Sequence, residues 1–233
     1  MDIRSLVLTI SIVAVPIIVA IVLHEVAHGW VAWRLGDPTA KMLGRLTLNP
    51  LAHVDIFGTI LLPLILLLSR SGILFGYAKP VPVNFLNLRR PKQDMVWVAA
   101  AGPAMNLVLA LLGGIAFRVL MGMGSDLPVR GTQTGVPLSA YFLQPVLLML
   151  IKGVQINVLL AVFNLIPIPP ADGGRILVGL LPPGPARLVS QVEPVGMVLL
   201  MVFLLFDPLN LFSHTVLSVI HSLTLFFLGT WRL

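Results

Sequence analysis

Leu23-His24-Glu25-Val26-Ala27-His28 closes an apolar run over residues 6–23 that holds neither a charge nor a histidine. Two histidines four apart lie one above the other on a helix, so both imidazoles can reach one metal ion. Glu25 stands beside them, where a carboxylate can take a proton from a water that the metal activates. Charged groups are costly in lipid, and those that occur there normally mark a functional site. A helix whose histidines only satisfy ordinary hydrogen bonds would carry the same six residues. The chemistry therefore depends on a partner from elsewhere in the chain.

Catalytic zinc usually takes three protein ligands plus water. Besides Glu25, the acids on offer are Asp2, Asp37, Asp55, Asp94, Asp126, Asp172, Glu193 and Asp207, and there is no cysteine to supply a thiolate or a disulfide. Asp55 and Asp172 stand out because each belongs to a compact polar motif against an apolar span. The first is Asn49-Pro50-Leu51-Ala52-His53-Val54-Asp55; the second runs from Asn164 through Pro167, Pro169 and Pro170 to Asp172-Gly173-Gly174-Arg175. In the second, the prolines stop a helix and the glycines permit turns closed to other residues. Asp172 then falls near the start of a new helical piece, 175–181, where it would also serve as an N-cap.

The elements that must position these groups are membrane helices. Of the 233 residues, 58% are hydrophobic and 10% charged, against about 25% charged in soluble domains. Several runs approach the roughly 20 apolar residues that cross a bilayer. We expect an all-α polytopic membrane protein with about five to six membrane-embedded helices, a re-entrant segment and small membrane-surface β elements. It reads as one unit over 1–233, with a catalytic core at about 5–181 and two C-terminal spans at about 188–228. The N-terminal run resembles a signal peptide but leads into the histidine motif without a small-residue cleavage site, so we read it as retained. The net charge of +6 lies mostly in short loops beside the spans. That pattern orients a membrane protein, and no basic stripe with interleaved aromatics suggests nucleic acid.

In chain order, a first span at 5–33 carries Trp30 and Trp33 as interfacial anchors, and a polar loop with Arg34, Lys41 and Arg45 follows. Residues 56–69, interrupted by Gly58 and Pro63, are too few for a full crossing and fit a re-entrant piece. The next loop holds Arg70, Lys79, Arg89, Arg90 and Lys92; if 56–69 dips in and returns, both positive loops share the cytoplasmic side. Residues 77–84, with two prolines, read as extended and suited to a sheet edge. A second crossing at 95–121 opens with small residues and Asn106, which either serve close helix packing or give Asn106 a functional part. The connection at 122–139, with Asp126 and Arg130, is placed outside. A third crossing at 142–166 returns inward with Lys152 snorkelling from its outer half. Asp207-Pro208 turns between the last two runs, where His214 and His221 read as packing or interfacial residues. In this topology His24, His28 and Asp172 meet at similar depth, and Asp172 is the better third ligand because a whole crossing delivers it there.

Taken together, 24–28, 49–55, 102–106 and 164–174 resemble the site-2 protease family of zinc-dependent intramembrane proteases, in the family's order over most of 6–175. The resemblance is to a compact type without a PDZ or CBS domain. It implies that His24, His28 and Asp172 hold one Zn2+, with Glu25 as general base. It also implies a site facing the cytoplasmic half of a prokaryotic plasma membrane, and transmembrane protein substrates cut within or next to their spans. An oxyanion donor is still needed, for which Asn164 and His53 are the polar candidates. The loops 49–55 and 77–84 would hold an unwound substrate by strand addition. Two other classes compete. A membrane metal-ion transporter should show inverted repeats, and none is found; a non-catalytic membrane-protein binding protein would not need an intact Glu25.

Overall fold

The computed structural model describes residues 3–68, 76–123, 138–207, 210 and 212–230. Along them run α1 (Ile3–Arg34), α2 (Thr39–Met42), α3 (Leu62–Leu68), α4 (Pro91–Met123), α5 (Leu138–Asn164), α6 (Asp172–Leu180), α7 (Pro183–Ser190), α8 (Glu193–Phe206) and α9 (Leu217–Leu228). Stretches of 24, 32 and 22 residues in α1, α4 and α5 are long and apolar enough to cross a membrane. At 1.5 Å per residue the shortest still spans about 33 Å, more than the roughly 30 Å hydrocarbon core. Among the described residues these three of the expected five to six embedded helices reach that length; α8 and α9 are shorter, at 14 and 12 residues. The expected outer connection with Asp126 and Arg130, together with Arg70 and Pro208, lies outside the described residues.

The three long helices meet along stripes of small residues. Ala20, His24, Ala27, His28 and Ala32 of α1 are buried, as are Ala99, Gly102, Pro103, Asn106 and Ala110 of α4, and Val154, Asn157, Val158 and Ala161 of α5. Each set repeats every three or four residues and so forms one helix face. With no hydrophobic drive between helices in lipid, small side chains let the backbones approach and polar ones bond across the gap. The outward faces stay apolar and exposed, as with Ile18, Val108 and Leu148.

At the end of the bundle marked by Arg34, Pro91 and Asn164, the loops pack back on the helices. Leu88, Ala32 and Val98 form a small buried cluster there. Asp37 is fully buried and accepts from the backbone amides of Thr39 and Asn84 and from the side chains of Thr39 and Asn87. It thereby ties the exit of α1 to the loop that enters α4. The carboxylate of Asp55 caps a π-helical turn, Ile56–Leu61, by accepting from the Gly58 amide at 2.7 Å. That duty accounts for the polar motif around Asp55 without any metal. The Tyr77 amide donates to the Gly58 carbonyl at 3.0 Å, so the segment beginning at Gly58 ends where it started.

The expected surface β elements are not present among the described residues, which contain no strand. Pro80 and Pro82 have no amide hydrogen to offer a ladder. The neighbouring amides are already engaged, Tyr77 with the Gly58 carbonyl, Lys79 with the His53 carbonyl at 2.9 Å, and Val81 with the Glu25 carboxylate at 2.7 Å. Residues 76–84 therefore form an irregular strap across α1.

Candidate metal centre

His24 and His28 occupy successive turns of the buried face of α1, and the chain reversal between α5 and α6 brings Asp172 against them. The two Nε2 atoms are 3.0 Å apart, and Asp172 Oδ2 lies 3.3 Å from one and 3.2 Å from the other. All three residues are no more than 9% exposed. For bonds of about 2.0–2.1 Å, two ligand atoms on a tetrahedral zinc stand about 3.3 Å apart. The triangle has the edges that such an ion requires. Among the described residues it is also the one group of three acidic or imidazole side chains close enough to hold a metal.

Hydrogen bonding sets the imidazole tautomers. His24 Nδ1 lies 2.5 Å from Asn106 Oδ1, and His28 Nδ1 lies 2.7 Å from the Val98 carbonyl. Both partners are oxygens that can only accept, so each Nδ1 carries the hydrogen and donates. With Nδ1 so engaged, Nε2 is the nitrogen that each ring turns to the shared point, the arrangement by which outer partners fix metal-ligating histidines. Asp172 Oδ2 is buried without a hydrogen-bond partner. Leaving a buried carboxylate oxygen unsatisfied is expensive, and a cation at the centre of the triangle removes the penalty. These residues fit zinc.

Two glycines make room for the cluster. A Cβ on Gly102 of α4 would lie 2.3 Å from His28 Nε2 and 2.6 Å from His24 Nε2. The α4 backbone is thus flush against the ligand atoms. A Cβ on Gly173 would lie 2.3 Å from the Leu165 carbonyl oxygen, so the chain after α5 folds tightly under the start of α6. Asp172 opens that helix, yet the preceding Ala171 provides no side-chain cap. Asp172 is turned to the histidines instead of capping its own helix.

Sequence reasoning missed the support behind His24. Asn106 Nδ2 donates to Asn157 Oδ1 at 2.8 Å and to the Ala20 carbonyl at 3.3 Å, and Asn157 Nδ2 donates to the Gly153 carbonyl at 2.8 Å. The small residues of α4 serve packing while Asn106 orients a ligand, so the two readings of that stretch hold together. Asn157 had a usable signal, being an amide in the middle of an apolar span. Glu25 accepts from the Val81 amide, a partner no local pattern announces. The two oxyanion candidates each make a hydrogen bond to a backbone carbonyl. Asn164 Nδ2 donates to the Leu160 carbonyl of its own helix at 2.9 Å, and His53 Nε2 donates to the Thr47 carbonyl at 2.9 Å.

A model of peptidase family M50 matches residues 12–204. The provisionally named zinc metalloprotease YwhC of Bacillus subtilis is 38% identical over 188 residues, covering 81% of this chain and 77% of the relative. The provisionally named zinc metalloproteases Rip2 of Mycolicibacterium smegmatis and Mycobacterium tuberculosis are 30% and 33% identical, each over 83% of this chain and 66% of the relative. The chain therefore spans just under two thirds of the Rip2 proteins. No solved structure matches the chain.

Proposed function

The chain belongs to peptidase family M50, the site-2 protease family of zinc metalloproteases, and we propose that it hydrolyses peptide bonds within or next to the transmembrane segments of membrane-protein substrates. The observation that carries this reading is the position of the metal triangle along a helix long and apolar enough to cross a membrane. His28 lies six residues before the end of α1 at Arg34, and His24 ten, or about 9 and 15 Å along the helix axis. That position supports a site within the apolar layer. Arg34, Lys41, Arg45, Lys79, Arg89, Arg90 and Lys92 lie at the same end of the bundle, which favours its placement on the cytoplasmic side.

His24, His28 and Asp172 would hold the zinc. When bound, it supplies Lewis-acid polarisation of the scissile carbonyl and acidifies a water for attack. Glu25 would take a proton from the attacking water and pass it to the leaving amine. One of its oxygens accepts from Val81; the other would take the proton. Asn164 has a second amide hydrogen beyond the one bonded to Leu160, and is our candidate for stabilising the developing oxyanion. His53 has its donor on the Thr47 carbonyl, so in the neutral ring its other nitrogen can only accept. A helical substrate must unwind beside the loops 49–55 and 77–84, because helical hydrogen bonds shield its peptide groups.

The test pairs detergent-purified wild type with Glu25→Gln, measuring bound zinc and cleavage of a panel of single-span membrane proteins. Near-stoichiometric zinc in both, with cleavage only by wild type, is expected. Undiminished cleavage by Glu25→Gln would remove Glu25 from the mechanism. No zinc in either protein, even when zinc is supplied, would overturn the reading.

A further inference from the structure

The strap at 76–84 is held in place by a cation that no part of the reaction above uses. Arg45 Nη2 donates to the Lys79 carbonyl at 3.0 Å and to the Pro80 carbonyl at 3.3 Å. From the other side, the His53 carbonyl accepts from the Lys79 amide at 2.9 Å. Both arms are anchored, since the Arg45 amide bonds to the Ala40 carbonyl at 2.9 Å and the His53 ring bonds to Thr47. Val81 is 6% exposed, and a Cβ on Gly29 would meet Val81 Cγ1 at 2.7 Å and Leu46 Cδ2 at 2.6 Å. Gly29 is one helical turn beyond Glu25 on the same face. The strap and the Arg45–Leu46 loop therefore close together over the Glu25 side of α1.

One connection gives this packing chemical meaning. The Pro80 carbonyl and the Val81 amide belong to the same peptide unit. Arg45 donates to one end of it, and the other end donates to Glu25 Oε2. A hydrogen bond from a cation to a carbonyl polarises the peptide and strengthens the bond its N–H makes, because consecutive hydrogen bonds reinforce one another. We infer that Arg45 is a positioning residue for Glu25, acting through the Pro80–Val81 peptide. It keeps Val81 N–H on one carboxylate oxygen so that the other stays aimed at the reacting water. The inference rests on the reading of Glu25 as the proton acceptor. The hydrogen bonds that orient the two histidines come from Asn106 and Val98 of α4 rather than from the strap, so the effect separates from zinc binding.

The experiment uses the zinc-loaded, detergent-purified full chain as wild type, Arg45→Ala, Arg45→Lys and Glu25→Gln. Amide hydrogen exchange is read in a peptide across 77–83, where the prolines leave few amides besides that of Val81. Kinetics are followed on one single-span substrate that wild type cleaves. For Arg45→Ala we expect unchanged zinc content, exchange at Val81 faster by at least about tenfold, and kcat reduced roughly 10- to 100-fold, at most the lower end of what general-base catalysis contributes because the base is displaced and not removed. KM should stay within about twofold. Arg45→Lys should fall between, since it keeps the charge but its shorter side chain does not place a donor where the guanidinium Nη2 reaches both carbonyls. If Arg45→Ala does not fold, Arg45→Lys decides, and wild-type exchange and kcat in it would overturn the inference. A rise in KM with kcat intact would also overturn it, by making the strap a substrate contact. Inactive Glu25→Gln beside fully active Arg45→Ala would remove only the role of Arg45, whereas active Glu25→Gln would remove the underlying reading.

Discussion

Adding one methyl group at Gly102 should empty the metal centre. The new Cβ would stand 2.3 Å from His28 Nε2, whereas carbon and nitrogen in ordinary contact are about 3.4 Å apart or more. Helix α4 and the imidazole pair must therefore separate by about 1 Å. Metal sites tolerate ligand displacements of only about 0.2 Å, so the shift is several times what the triangle can absorb. Changes behind metal ligands weaken binding about 10- to 100-fold. Here the ligand atoms themselves are displaced, and we expect at least the upper figure, or about 2.7 kcal/mol. The assay is zinc affinity by competition with a chelating dye on detergent-purified protein. Gly113→Ala is the control. It lies in the same helix and gains the same roughly 1 kcal/mol of helix propensity, but its Cβ would approach nothing nearer than Val154 Cγ2 at 3.2 Å. Gly102→Ala should lose zinc while Gly113→Ala keeps it. Wild-type zinc affinity in Gly102→Ala would refute the close approach of α4 to the histidines.

Three further outcomes follow from the same geometry. Asn106→Ala removes the acceptor of His24 Nδ1 and should weaken zinc binding about 10- to 100-fold; Asn157→Ala, one hydrogen bond further out, should weaken it less, by the same chelator competition. Chelation should lower the thermal midpoint of wild type, because zinc at 100 times its Kd stabilises the fold by about 2.7 kcal/mol; Asp172→Ala, which lacks one side of the triangle, should start from a lower midpoint and not respond. Burial by itself raises the pKa of Asp37, but hydrogen bonds from Thr39, Asn87 and Asn84 outweigh it and hold the carboxyl below its ordinary value. The stability it contributes is present above the unfolded carboxylate value of about 3.9 and is lost as pH falls through the lower folded value. Asp37→Asn should cost roughly 1.5–3 kcal/mol at neutral pH and flatten that acid limb, as thermal melts across pH 2–6 would read.

The sequence alone was enough for the parts governed by local rules. A spacing of four puts His24 and His28 on one helix face whatever surrounds them, and an apolar run long enough for the bilayer commits α1, α4 and α5 to helix because lipid offers the backbone no other partner. Asp172 was legible for a related reason. Its prolines and glycines prescribe a reversal at the end of a crossing, and the parity of crossings delivers it to the depth of the histidines. The same rules misjudged 77–84, where an extended, proline-bearing stretch became a strap because its amides found Gly58, His53 and Glu25 before any neighbouring strand.

Tertiary structure decided everything that orients the chemistry. His24 and Asn106 are 82 residues apart, His28 and Val98 are 70 apart, and Val81 and Glu25 are 56 apart. Glycine at 102 and asparagine at 157 are each compatible with ordinary helix packing, and only the crossing of three small-residue faces makes one the floor of the metal site and the other the support of its ligand. A hydrogen bond or a close contact between distant residues depends on where two helices cross, a property of the packed chain to which no single segment holds the information.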